Sequence, residues 1–383
     1  MDENRLPRLW LLNIGNEVAL GSKAIHYTPS RLVRQMRRDL SALPAFFAGD
    51  NQLDAVWIEE GLPPLPERSC LPARQCYTTK QLLQADFDTP FQLELWGREP
   101  SLVQQLIRHY PELFDKKIIP PTTKQLPNSF FDRTLTASFL KEWDIPTPSI
   151  INNDQELKRF ADELSQDKFV IKQPFSSSGR GIHLVNSKEY SKVRCKYPLI
   201  AEPYYEKVSD WAIEYTIEGN KYIRKEALSH FYTDHFRYIG NSVCSQEMLL
   251  QRLTNEVGSS IIEHVVEAHK KFLLREVAPY YQGPVGIDMM SYRKGSTLCL
   301  HPFVEINIRH TMGSVAERLF SHYGYNDKEY FLQIEHLPSL EEEGNNPCEK
   351  PYFDSNGRLI SGKMWLSGRN EASRFGASFS ALP

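Results

Sequence analysis

The sequence has no C-x-x-C pair: its six cysteines (Cys70, Cys76, Cys195, Cys244, Cys299 and Cys348) are scattered over 383 residues. The spacing therefore gives no support to a zinc site or a redox motif, and a dense disulfide framework is not expected in so long a chain. Scattered thiols of this kind fit a reducing cytoplasm. There is little excess charge of either sign, with 45 basic and 48 acidic side chains for a net charge of -3. Phosphate backbones call for a basic excess, so no nucleic-acid partner is expected. No apolar run approaches the ~18–20 residues of a membrane span, so no membrane partner is expected either. The cluster Leu9 to Leu12 is too short for a signal-peptide core. Internal repeats and low-complexity tracts are absent as well.

What is present is an ordinary globular composition, 41% hydrophobic and 24% charged. At ~100–200 residues per domain the length predicts two or three domains. Residues 8–14 form an apolar run that suits a buried strand. Ser30 is placed to start a helix carrying Leu32, Val33, Met36 and Leu40, and Ala55 to Ile58 reads as a second strand. Strand, helix, strand at that spacing predicts a small α/β unit. Gly61 to Pro72 holds four prolines and reads as a loop, and Ile119-Pro120-Pro121 marks a domain break.

Beyond the break, Asp132 is placed to cap a helix carrying Leu135, Phe139, Leu140 and Trp143, and Asp154 to open another with Leu157, Phe160, Ala161 and Leu164. Short strands are expected at 169–172, 181–185, 199–202, 211–217 and 221–228. One long helix is expected over about 247–277, then strands at 284–292 and 298–308. The run Glu341 to Glu343 before Gly344 reads as a solvated loop.

Three segments carry chemistry. In the first, Lys172 ends an apolar strand and is followed by Ser176, Ser177, Ser178, Gly179, Arg180 and Gly181. Small residues let backbone N–H groups approach an anion, and Lys172 adds a point charge for a phosphate oxygen. The pattern is not G-x-x-x-x-G-K-[ST], and a flexible hairpin tip is the alternative reading. In the second, alternation puts Glu305, Asn307 and Arg309 on one face of a strand. Asp288, on a strand able to pair beside it, would complete an oxygen-donor set suited to Mg²⁺. An amphipathic strand with one wet face is the alternative. In the third, a strand ends at Glu202 and is stopped by Pro203, leaving backbone groups free for a ligand edge such as adenine. Asp210 or Glu206 would then lie near ribose hydroxyls, and a strand end with surface acids is the alternative.

The order of these pieces, a lysine before a Ser/Gly loop, a Glu hinge ~30 residues on, then G-x-D at Gly286 and E-x-N-x-R at Glu305, resembles the ATP-grasp superfamily over roughly residues 120–320. The loop is similar to the phosphate loop of formate-dependent glycinamide ribonucleotide transformylase and related carboxylate ligases. The resemblance implies an α+β fold in which two lobes with antiparallel sheets grip ATP behind a small α/β N-terminal domain. Its domains would be 1–119 (N-terminal), 120–198 (first lobe with the phosphate loop), 199–330 (second lobe with the Mg²⁺ strands) and 331–383 (C-terminal extension).

By the same resemblance, Arg133, Lys172, Ser177, Ser178, Gly179, Arg180 and Gly181 would bind the phosphates, and Glu202, Tyr204 and Asp210 the nucleoside. Asp288, Glu305 and Asn307 would hold Mg²⁺, while Arg309 and Lys172 would act on the transferring phosphoryl group. The implied activity is an ATP- and Mg²⁺-dependent carboxylate–amine ligase working through an acyl phosphate. A small-molecule kinase on the same fold and a non-catalytic nucleotide-binding protein are the rival readings. Partners would be a small carboxylate and an amine or other nucleophile, with homo-oligomer formation left open. His230, His235, Arg237, His310 and Arg318 are candidates to touch the second substrate, and Phe231, Tyr232, Phe236 and Tyr238 could line a pocket or simply pack.

Overall fold

The apolar run after Pro7 becomes the middle strand of a parallel sheet. The computed structural model of the chain describes residues 5–22, 27–48, 53–61, 75–122, 126–143, 145–164, 166–175, 181–194, 196–219, 222–336, 350–368 and 370–383. The chain forms two compact units. The first comprises Met1–Gln125, Ile239–Ser245 and Ser314–Pro383, the second Leu126–Tyr238 and Gln246–Gly313.

In the first unit, β1 (Arg8–Leu11), β2 (Ala55–Trp57), β3 (Gln75–Tyr77), β4 (Phe91–Leu95) and β5 (Ile118–Ile119) pair in parallel in the order β3-β2-β1-β4-β5. Leu9, Leu82, Leu93 and Leu113 lie in its core. Helices α1 (Asn16–Ser22), α2 (Arg31–Asp39), α3 (Thr79–Gln84), α4 (Pro100–His109) and α5 (Pro111–Lys116) connect the strands. The expected α/β unit is thus present, although the first strand stops at Leu11 and the turn-rich stretch after it holds α1. Ser30 starts α2 as expected: its Oγ accepts a hydrogen bond from the Val33 amide at 3.3 Å. The proline loop beyond Gly61 lies outside the described residues.

The second unit opens with α6 (Thr134–Leu140), whose first turn is held by Asp132. Its Oδ1 accepts from the Thr134 amide at 3.0 Å and from the Thr134 hydroxyl at 2.6 Å. Four strands, β6 (Ser149–Ile151), β7 (Lys168–Lys172), β8 (Ile182–Asn186) and β9 (Leu199–Pro203), form an antiparallel sheet in the order β6-β9-β7-β8. Helix α7 (Asp154–Glu163) packs Leu157 and Ala161 against Phe169, Leu199 and Ala201. Asn153, one residue before the expected Asp154, caps it by accepting from the amides of Gln155 and Glu156.

The chain then runs through β10 (Glu206–Glu218) and β11 (Tyr222–Asp234) into β12 (Arg237–Val243), which carries it back to the first unit. It returns for α8 (Gln246–Val257), α9 (Ser259–Phe272), β13 (Gly283–Lys294) and β14 (Thr297–Asn307). The single helix expected over 247–277 is two, because Gly258 breaks it at φ +87°; a π-helical turn, Leu273–Val277, follows α9. Within this unit the strands are antiparallel in the order β14-β13-β10-β11. Trp211, Ile213, Tyr215, Val285, Ile287 and Met289 are all buried. Tyr215 donates to Nδ1 of the buried His269 on α9 at 3.0 Å, and His269 Nε2–H donates to the Pro302 carbonyl at 2.8 Å.

Helix α10 (Met312–Tyr323) leads into the remainder of the first unit. There β12, β15 (Tyr330–His336), β19 (Phe375–Ala381) and β18 (Lys363–Trp365) are antiparallel neighbours in that order, and β16 (Tyr352–Phe353) pairs with β17 (Leu359–Ser361). The buried Asp39 carboxylate ties α2 to β19 by accepting from the amides of Arg374 and Phe375. The acidic run 341–343 lies outside the described residues, as do Cys70, Cys195 and Cys348. No helix among the described residues is long and apolar enough to cross a membrane.

Candidate active site

Residues directly opposite one another in an antiparallel sheet share a face, and so do residues two apart along a strand. The registers of β10, β13 and β14 therefore generate rows on one face. Asp210, Met290 and His301 form one row, Ala212, Asp288 and Glu305 the next, and Glu214, Gly286 and Asn307 the third. Sequence alternation puts Glu305 and Asn307 together; the pairing of β13 with β14 sets Asp288 directly beside Glu305. Arg309 follows two residues on, donating from Nη2 to Asn307 Oδ1 at 2.8 Å and from Nη1 to the His310 carbonyl at 2.9 Å.

Glu214 is an acid that the motif does not mark. At 4% exposure it is buried, and it occupies the third row beside a glycine. A Cβ on Gly286 would come within 3.0 Å of Glu214 Oε2, and one on Gly313 within 2.0 Å of Oε1. These two glycines leave the space the carboxylate fills, and the Thr311 hydroxyl donates to Oε2 at 2.7 Å. Burial, opposed by the Thr311 hydrogen bond and the Arg309 charge, pushes its pKa up to about 7. Asp288 is half-buried, and its pKa is raised well above the ordinary carboxylate value. Burial is the main cause, followed by repulsion from Glu305 and Glu214; Arg309 and an Asn307 hydrogen bond oppose it. Cations meet the acids from two sides, Arg309 acting on Asp288 and Glu214 and Arg133 on Glu305.

The donor set fits magnesium. Among the described residues no three His, Cys, Asp or Glu side chains are gathered to hold a metal unaided. Two carboxylates, Asp288 and Glu305, with the Asn307 amide oxygen are what Mg²⁺ takes when phosphates and water complete its octahedron. Glu305 is meanwhile paired with Arg133 at 3.1 Å. Arg133 sits at φ +67°, just before α6.

The smaller sheet contributes the second half of the arrangement. Lys172, only 6% exposed, forms an ion pair with Glu202. The two stand one step apart on neighbouring strands, since Lys172 is opposite Ile200 and Glu202 opposite Val170. The β7–β8 connection closes where Gln173 donates to the carbonyl of Gly181, which adopts φ +76°. Ser177, Ser178, Gly179 and Arg180 lie outside the described residues. Tyr204 is half-buried, with the Lys168 ammonium 6.0 Å from its ring centre. Asp210 accepts from Thr233 Oγ1 at 2.8 Å and pairs with Lys207.

The second-substrate candidates fall on separate elements. His230 stacks on Trp211 at 4.4 Å, and His235 and Phe236 form an exposed turn at positive φ. His310 adjoins Arg309, whereas Arg318 lies on α10 in the first unit. Sequence reasoning passed over His301, Thr311 and the chemistry of Glu214. The available signal for Glu214 was a charged residue inside the otherwise apolar run Trp211 to Ile217.

No family model and no curated protein sequence matches the chain. Solved structures do. N5-carboxyaminoimidazole synthetase from Staphylococcus aureus aligns at TM-score 0.50 and 14% identity, covering 100% of this chain and 96% of that one. The biotin carboxylase domain of Hydrogenobacter thermophilus 2-oxoglutarate carboxylase, in complex with MgADP, ADP and bicarbonate, aligns at 0.51 and 13%, covering 99% and 87%. An ADP complex of N5-carboxyaminoimidazole ribonucleotide synthetase aligns at 0.51 and 11%, covering 100% and 94%. These neighbours are ATP-grasp proteins, and this chain, with a parallel N-terminal sheet followed in sequence by antiparallel ones, has the ATP-grasp fold.

Proposed function

We propose that the protein is an ATP- and Mg²⁺-dependent ligase that activates a small carboxylate as an acyl phosphate for attack by an amine or similar nucleophile. The observation that carries this reading is the row of Asp288 and Glu305 beside Asn307, with Arg309 at its end. Phosphoryl transfer is mainly positioning and charge neutralisation, so no strong nucleophile is required of the protein. Lys172 and Arg309 would contact the phosphates, Arg133 would steady Glu305, and Glu202 with Tyr204 and Asp210 would hold the nucleoside. Ser177 to Gly181 would cover the β- and γ-phosphates. Asp288, Glu305 and Asn307 would hold Mg²⁺, which supplies charge neutralisation of the phosphates. A carboxylate oxygen forms a bond to the γ-phosphorus as its bond to ADP breaks. The nucleophile then bonds to the acyl carbon, its proton passes to solvent, and phosphate leaves with the electron pair of the broken C–O bond.

Calorimetry with a non-hydrolysable ATP analogue tests the binding half. Binding that needs Mg²⁺ is expected, and none at millimolar nucleotide would sink the reading. Lys172→Ala is expected to weaken that binding roughly 10- to 100-fold, the size of a lost charge-assisted hydrogen bond, with the far-ultraviolet circular dichroism unchanged. ADP release is then followed across carboxylates with and without amines. Bicarbonate belongs in the panel because it accompanies MgADP in the Hydrogenobacter enzyme. Amine-dependent release supports ligation, a phosphorylated product without amine points to a kinase, and tight binding without turnover points to a binding protein.

A further inference from the structure

Two polar atoms in the second unit are buried side by side with no hydrogen-bond partner among the described residues: Nδ1 of His301 and the hydroxyl of Tyr205. Their rings are 5.2 Å apart and nearly perpendicular, and Tyr205 also meets the edge of Tyr292 at 4.8 Å. His301 is 3% exposed. Folded proteins seldom leave such atoms unpaired, because each forfeits its hydration without compensation. Packing alone would be served as well by Phe or Leu at either position.

Their location says what the missing partner is. His301 shares its row with Met290 and Asp210, on the face that carries Asp288 and Glu305. The charges of Glu202 and Lys172 both act on His301, and that of Glu202 acts on Tyr205. Burial holds the imidazole neutral, with a pKa near 4, and keeps the phenol protonated. Two uncharged groups, each able to donate or accept, thus stand beside Glu202, whose carboxylate only accepts. An uncharged flat ring with alternating donors and acceptors on its edge matches that set; a phosphate or a carboxylate does not.

We propose that His301 and Tyr205 set the base selectivity of this protein, pairing with the polar edge of a purine that carries its amine at the six-position, as adenine does and guanine does not. The inference rests on the nucleotide-binding reading above and adds to it that base choice is made by these two side chains and not by the Glu202 hinge alone. A site built to hydrogen-bond a particular edge rejects analogues that lack it, since the site's own polar groups are then left unpaired.

The test is calorimetric titration of the full chain with Mg²⁺ and the non-hydrolysable analogues of ATP and GTP. Wild type is expected to favour the adenine analogue by roughly tenfold or more. His301→Leu and Tyr205→Phe are each expected to weaken it roughly three- to tenfold, the size of one hydrogen bond, and to leave the guanine analogue unchanged. His301→Gln, which keeps hydrogen-bonding capacity, is expected to recover part of the discrimination and guards against a Leu variant that merely misfolds. An unaltered adenine-to-guanine ratio in the Tyr205→Phe and both His301 variants overturns the assignment. Failure of wild type to bind either analogue instead removes the nucleotide reading on which it rests.

Discussion

Glu214→Gln is expected to make the protein more stable at pH 8 by about 3 kcal/mol and to change nothing at pH 4. The folded-state pKa of Glu214 is pushed up to about 7 from 4.5, so between those values the folded protein binds a proton that the unfolded chain does not. Stability must then fall as pH rises from about 4.5 to about 7, by ~1.4 kcal/mol per pH unit. The loss is complete above the folded pKa and absent below the unfolded one. Glutamine has nearly the same shape, can accept from Thr311 as Glu214 Oε2 does at 2.7 Å, and has no charge to bury. Urea unfolding of wild type and variant from pH 4 to pH 8 measures the difference. Parallel pH profiles for the two proteins would show that Glu214 carries no such cost. A buried acid that lowers stability at neutral pH is a hallmark of a site kept for function.

Asp288→Asn is expected to abolish Mg²⁺-dependent turnover, by at least about 10³-fold, while the fold becomes no less stable. The substitution removes one carboxylate from the proposed metal set and with it the repulsion that Glu305 and Glu214 exert there. Loss of activity together with unchanged or increased stability separates a ligand role from a packing role, because a packing role predicts loss of both. The magnesium dependence of nucleotide-analogue binding gives a second readout, expected to shift by at least about 100-fold in Mg²⁺ concentration. Wild-type turnover in Asp288→Asn would remove Asp288 from the site.

The parts of the fold that depend on neighbours in sequence were legible beforehand. Alternation places Glu305 and Asn307 on one side of a strand, Ser30 and Asp132 announce the starts of α2 and α6, and Pro203 ends β9. The order lysine, small-residue loop, Glu hinge, G-x-D and E-x-N-x-R leads to the ATP-grasp fold. Where local reasoning read one long helix, a single residue against the trend decided otherwise: Gly258 divides a stretch whose apolar periodicity otherwise continues.

What the amino-acid sequence determined by itself is the inventory: oxygen donors and cations at fixed spacings, and the face of the strand on which each can stand, because that follows from covalent geometry alone. The tertiary structure alone decided which strands pair and in which register. Register brings Asp288 opposite Glu305, sets Glu214 beside the gap left by Gly286, and aligns His301 with Asp210. On the smaller sheet it likewise joins residues far apart in the chain, Lys172 to Glu202. A shift of one residue would turn every one of these side chains to the opposite face. The packing of the apolar face, Trp211, Ile213 and Ile287 among others, is what forbids that shift, and it exists only once the sheet has formed.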